Sequence, residues 1–153
     1  MTSAISEKEH NMRILIALDS SSYASEIIED LGKRIWSKDS EFRVISVIKS
    51  TENWEIDQQY LHPCKLILDE RVESLKKRIP DAKSISGQLL EGDARASILK
   101  EAREWQADLI VIGSHGDTGA RRESVGSVAA AIVNEAPCSV EVVKVKTKTL
   151  QTV

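Results

Sequence analysis

Leu109-Ile-Val-Ile-Gly-Ser-His-Gly116, then nine residues, then Gly126-Ser127, is the stretch on which the fold turns. Four consecutive apolar residues, bounded by Asp108 and Gly113, predict a strand covered on both faces. Val128, Ala129, Ile132 and Val133 then fall on one helical face. A strand, a glycine-rich loop and a helix in that order also make an anion site. Glycine lets the backbone turn tightly and approach a ligand without a Cβ in the way. The free N–H groups of a helix start, at the positive end of its dipole, attract a phosphate. Ser127 adds a hydroxyl donor. Two glycines alone would more often mark a plain turn. Three glycines and a serine at fixed offsets between strand and helix favour binding.

The same alternation extends outward in both directions. Arg13 to Leu18 is a β-favouring run that stops at Asp19 and three serines. Ala24, Ile27, Ile28, Leu31 and Ile35 make a helical stripe, and Phe42 to Ile48 is strand-like again. A second stripe, Leu68, Val72, Leu75 and Ile79, stops at Pro80. Ile85, Gly87 and Leu89 alternate as a short strand, and Asp93 is placed to cap a helix carrying Ala94, Ile98, Ala102 and Trp105. Val140 to Val145 is the fifth strand. Five strands alternating with four helices predict an α/β fold, an open parallel sheet with helices on both faces. The one long connection is Ser50 to His62, a length that is often functional or mobile. Residues 1–11 read as a flexible leader, 12–146 as a single domain and 147–153 as a polar tail.

Composition bounds the function. The 153 residues fit one domain, 41% hydrophobic and 29% charged, which argues against disorder. Lys plus Arg number 21 against 24 Asp plus Glu, and a net charge of −3 gives no basic surface for nucleic acid. Cys64 and Cys138 suggest neither a disulfide framework nor a zinc site. The polar N-terminus lacks the apolar core of a signal peptide, and Val128 to Val133, the longest apolar run, is too short to cross a bilayer. A cytoplasmic protein without membrane or nucleic-acid partners is expected. The first strand is not followed by Gly-x-Gly-x-x-Gly, and no Gly-x4-Gly-Lys-Ser/Thr loop occurs.

The pattern Gly113-x2-Gly116-x9-Gly126-Ser127 resembles that of the universal stress protein family, in its nucleotide-binding branch. The likeness runs from Arg13 to about Val145 and includes Ile14-Leu-Ile-Ala-Leu-Asp19, Glu91-Gly-Asp93, Ala107 to Gly116, Gly126-Ser-Val-Ala129 and Ala136-Pro-Cys138. It implies strand order 3-2-1-4-5, the adenine-nucleotide alpha-hydrolase-like arrangement, and binding of ATP or another adenine nucleotide. By the resemblance, Ala17 and Leu18 belong to the nucleotide site, Asp19 lies near the ribose or adenine edge, the backbone of Val47 meets the adenine ring, and Ile112 flanks the base. Gly113, His115, Gly116, Gly126, Ser127 and Val128 line the ribose and phosphate cradle. Asp19 equally suits the N-terminus of the first helix, and the two roles are compatible.

Asp117 stands where the family commonly has a basic residue. Arg121 and Arg122 could supply a cation, Asp117 could hold Mg²⁺ through water, or all these charges could be solvated loop. No activated nucleophile or general base stands out, so at most slow ATP hydrolysis is expected, in a regulatory rather than fast-turnover role. Two other readings remain. Asp19, Asp93 and Lys144 could imitate a phosphoacceptor pocket, or the fold could serve as a dimerisation or interaction module. Trp54 and Tyr60 either cover a nucleotide or pack as a satellite cluster under the long connection. An edge strand from Val140 to Val145 suits a homodimer, although Lys144 and Lys146 would also protect a free edge.

Overall fold

The computed structural model describes residues 11–19, 21–50, 54–115 and 125–144. Its elements are β1 (Arg13–Ala17), α1 (Tyr23–Gly32), β2 (Glu41–Ile48), α2 (Trp54–Arg78), β3 (Ser84–Glu91), α3 (Ala94–Glu104), β4 (Leu109–Gly113), α4 (Ser127–Glu135) and β5 (Ser139–Val143). The strands form one sheet in the order β3-β2-β1-β4-β5, every pairing parallel. This is the expected α/β architecture.

Strand alternation divides the core into two layers. Ile14 and Ile16 of β1 join Phe42 and Val44 of β2 under α1 and α2, through Ile27, Leu31, Val72 and Leu75. Leu15 and Ala17 point the other way, with Ile45 and Ile110, and meet Ile98 and Ala102 of α3 and Ile132 of α4. The central strands therefore read as continuous apolar runs because both faces are covered. At the chain reversal after β3, Asp93 caps α3 as expected, its carboxylate accepting from the Ala96 N–H at 2.9 Å.

Two expectations fail. Ile35 does not continue the helical stripe. The α1 helix ends at Gly32, the N–H groups of Lys33 and Arg34 turn back to the carbonyls of Asp30 and Leu31 respectively, and Ile35 is fully exposed. Trp36 takes the core position instead. Its ring meets Phe42 edge-on at 5.1 Å, and its Nε1–H donates to the Leu31 carbonyl at 2.9 Å. A long indole whose N–H finds an acceptor outcompetes an isoleucine that would need one more helical turn.

The stretch from Ser50 to His62 is not a long connection, because α2 starts at Trp54 and carries Pro63 inside it. At 25 residues α2 is about 37 Å long, whereas the eight-residue β2 spans about 26 Å. Only its C-terminal half has sheet beneath it. Leu68, Val72 and Leu75 are buried, whereas Tyr60, Leu66 and Ile67 are exposed. None of residues 59–67 is buried, and a helical stretch without a buried face shows no apolar period. The smaller revisions are that β1 ends at Ala17 rather than Leu18, β3 runs on to Glu91, and β5 begins at Ser139. Val145 lies outside the described residues.

Candidate functional site

The strand order reverses at β1, whose neighbours are β2 on one side and β4 on the other. Chains leaving β1 and β4 there depart to opposite faces, and a crevice opens beyond the carboxyl ends of the strands. A cavity of about 320 Å³ occupies it. Of the residues assigned to a site from sequence, Ala17, Leu18, Asp19, Val47, Ile112, Gly113, His115, Gly126, Ser127 and Val128 all line this cavity. Gly116 lies outside the described residues, as do Asp117, Arg121 and Arg122, so the balance of charges in that loop does too.

Each wall follows from a local hydrogen-bonding requirement. The Leu18 N–H donates to the Ile45 carbonyl at 2.9 Å, the last backbone link from β1 to β2. Asp19 then accepts from the Ser21 N–H at 3.0 Å and from the Ser21 hydroxyl, so its carboxylate also organises the entry to α1. The same side chain lines the cavity while bonded to Ser21, two residues before α1.

On β2, successive residues present their amides to opposite neighbours. The Ile45 carbonyl faces β1, and the Ile48 carbonyl accepts from the Gly92 N–H at 2.9 Å on the β3 side. By parity the N–H and C=O of Val47 face the β1 side, where the β1–β2 ladder has already ended at Ala17↔Ile45. Among the described residues no backbone group takes them up. Val47 therefore offers one donor and one acceptor at the cavity wall.

The opposite wall is the start of α4. Beyond β4 the Ser114 N–H donates to the Val143 carbonyl at 2.9 Å, and the Ser114 carbonyl accepts from the Gly126 N–H at 2.8 Å. The second bond clips the two ends of the glycine loop together. A Cβ on Gly126 would lie 3.2 Å from that Ser114 oxygen, so the close approach favours glycine. The first intrahelical bond of α4 runs from the Ala130 N–H to the Gly126 carbonyl, which leaves the amides of Ser127, Val128 and Ala129 without an intrahelical acceptor. All three residues line the cavity. The Ser114 hydroxyl, in a residue only 2% exposed, lies 2.9 Å from Nδ1 of His115.

Between these walls the lining is apolar, with Ile45, Ile98 and Ile112 among its residues. The sequence missed Tyr23, Ile27, Ile45, Lys49, Ala94, Ile98, Ser114 and Ala129. A signal existed for some of them. Period two carries the face of Val47 back to Ile45 and on to Lys49, and one helical turn carries Ala94 to Ile98. Asp93 and Lys144 do not line the cavity, so the structure does not assemble the alternative phosphoacceptor trio around it. Tyr60 is more than half exposed, while the side chain of Trp54 lies outside the described residues. Among the described residues no three His, Cys, Asp or Glu side chains are grouped to hold a metal ion, and no helix is long and apolar enough to cross a membrane.

The architecture has counterparts in known proteins. The sequence profile of the universal stress protein family matches residues 10–144. A Staphylococcus epidermidis relative bearing the universal stress protein name is 34% identical over 137 residues, covering 86% of this chain and 82% of its own. The Archaeoglobus fulgidus universal stress protein, solved in complex with dAMP, superposes with a TM-score of 0.63 at 20% identity, over 86% of this chain and 96% of that one. An Arabidopsis thaliana universal stress protein family member, solved with AMP bound, gives 0.61 at 18% identity, over 89% and 93%. At these identities the structural likeness speaks for the fold.

Proposed function

The chain belongs to the universal stress protein family, and from that premise we propose that the cavity binds an adenine nucleotide, through which the protein acts as a stress-response regulatory module. One observation carries the reading. An apolar slot is bounded on one side by the N–H and C=O of Val47, which no backbone group among the described residues takes up, and on the other by three amides of α4 that have no intrahelical acceptor. Adenine presents a ring nitrogen acceptor beside an amino donor, which matches a backbone N–H and C=O on one residue. Guanine presents the reverse order. Free amides at a helix start suit the phosphates. Relatives solved with AMP, dAMP and cAMP support the same ligand class.

ATP is the proposed physiological ligand, its phosphates accompanied by Mg²⁺ and cradled by Gly113, His115, Gly116, Gly126 and Ser127. Asp19 accepts from the ribose or base. The protein is proposed to sense the nucleotide rather than consume it quickly. Calorimetric titration with ATP, ADP, AMP, cyclic AMP and GMP tests the reading. Adenine nucleotides should bind at least about tenfold more tightly than GMP, a difference near 1.4 kcal/mol. Equal affinity for GMP, or no adenine nucleotide binding, overturns it. ATP turnover of roughly 1 per second or faster would instead make the protein an enzyme.

The further parts of the proposal concern assembly and setting. The edge of β5 is proposed to pair with its twofold mate in a cytoplasmic homodimer, since Val140, Val142 and Val143 stay only half buried there. Light scattering at micromolar concentration should give twice the 17.0 kDa chain mass, and a monomer refutes the dimer.

A further inference from the structure

The cavity's charges are unevenly satisfied. Two side chains of opposite charge line it, Asp19 and Lys49. Asp19 is engaged by the backbone and hydroxyl of Ser21. Lys49 has no ion-pair partner among the described residues. Lys49 is the one lysine among the residues that line the cavity, whereas Lys33, Lys76 and Lys100 each lie within 4 Å of a carboxylate three or four residues away, at Glu29, Glu73 and Glu104. Those lysines decorate helix surfaces. Lys49 instead follows directly on β2 and continues the lining row of Ile45 and Val47, one step nearer the mouth.

Position then limits what this ammonium can meet. Two strand spacings, about 10 Å, separate β2 from β4 across the crevice. A compact charge on a flexible four-carbon stem can lean across such a mouth. The base-reading amide of Val47 lies deeper on the same strand, and the amides of α4 stand on the far side. An anionic group leaving the slot passes between Lys49 and the start of α4, where the ammonium and the helix dipole act on it together.

We infer that Lys49 is the residue by which this cavity selects nucleotides over nucleosides: its ammonium binds the phosphate of a ligand whose base lies against Val47. The inference rests on the nucleotide reading above and assigns it a side chain outside the glycine motif. The contact adds affinity only when a phosphate is present.

Adenosine and AMP are the probes, titrated calorimetrically into the full chain. Lys49→Gln should weaken AMP by about tenfold and leave adenosine within about twofold, the loss expected of one charge-assisted bond. Lys49→Arg should keep most of the AMP affinity, and the salt dependence of AMP binding should flatten in Lys49→Gln. If the wild type binds AMP but Lys49→Gln leaves the AMP-to-adenosine ratio unchanged, this inference alone falls. Equal losses for both ligands also overturn it, since they would make Lys49 a base contact. A wild type that binds neither probe overturns the nucleotide reading and this inference together.

Discussion

Gly126 shows how narrowly a single atom can be tolerated at this site. Its backbone, φ −60° and ψ 159°, is one that any L residue adopts, so conformational freedom is not what holds glycine there. The constraint is the Ser114 carbonyl, 3.2 Å from where a Cβ would sit, in the same contact that clips the loop ends together. Alanine can be admitted only if the start of α4 moves by a few tenths of an ångström, and the amides of Ser127, Val128 and Ala129 move with it. Gly126→Ala should therefore keep its far-UV circular dichroism and lose no more than about 1 kcal/mol of stability. Its AMP affinity should fall by roughly tenfold, because preorganised donors lose most of their value when displaced. Unchanged AMP affinity in a folded variant would move the phosphate position away from α4. Chemistry at Cys138 is quieter. Burial, reinforced by Asp108, pushes its thiol above the ordinary range, so the folded chain resists forming the thiolate there.

Elements were legible in the sequence where they bury a face and illegible where they do not. Leu68, Val72, Leu75 and Ile79 announced the half of α2 that lies on the sheet, while the exposed residues before Leu68 gave no period. Ile35 misled because spacing alone cannot tell which apolar residue after Gly32 will find the core. The indole N–H of Trp36 decided that contest through the Leu31 carbonyl. Within the site, glycines and terminal strand residues were readable because their roles follow from chain direction. Tyr23, Ile98 and Lys49 reach the cavity from three elements whose relative placement only the folded sheet defines. One prediction belongs to this scale. The α2 helix sits so close to β3 that a Cβ on Gly87 would meet Cγ2 of Val72 at 2.7 Å and Cγ of Leu68 at 3.3 Å. Both neighbours are packed core side chains with little room to retreat. Gly87→Val should destabilise the protein by about 1–3 kcal/mol through overpacking, measured by urea unfolding. AMP affinity should hold in the folded fraction, since Gly87 does not line the cavity. A neutral effect on stability would mean that α2 can lift from β3 at no cost.

For the whole molecule, the cavity joins parts of the fold that lie on opposite faces of the sheet. Its lining comes from β1, β2 and β4, from the helix starts of α3 and α4, and from Tyr23 and Ile27 of α1 on the opposite face. Among the described residues the main helix contacts run from α1 to α2 on one face and from α3 to α4 on the other. Arg34 supplies one polar link on the α1 side. It is held protonated chiefly by its bond to Glu141 of β5 and further by Asp30, but at 31% side-chain exposure such a pair contributes little to stability. A ligand in the crevice therefore ties together elements of both layers that local unfolding would otherwise release separately. Binding only the assembled state, AMP at 100 times its Kd should stabilise the fold by about 2.7 kcal/mol. For a domain of this size that corresponds to a Tm rise of roughly 5–10 °C. Calorimetry should show one transition that moves upward as a whole and stays single. Two transitions, of which AMP moves only one, would place the ligand within a single layer and refute the view that the crevice at β1 couples the two faces of the sheet.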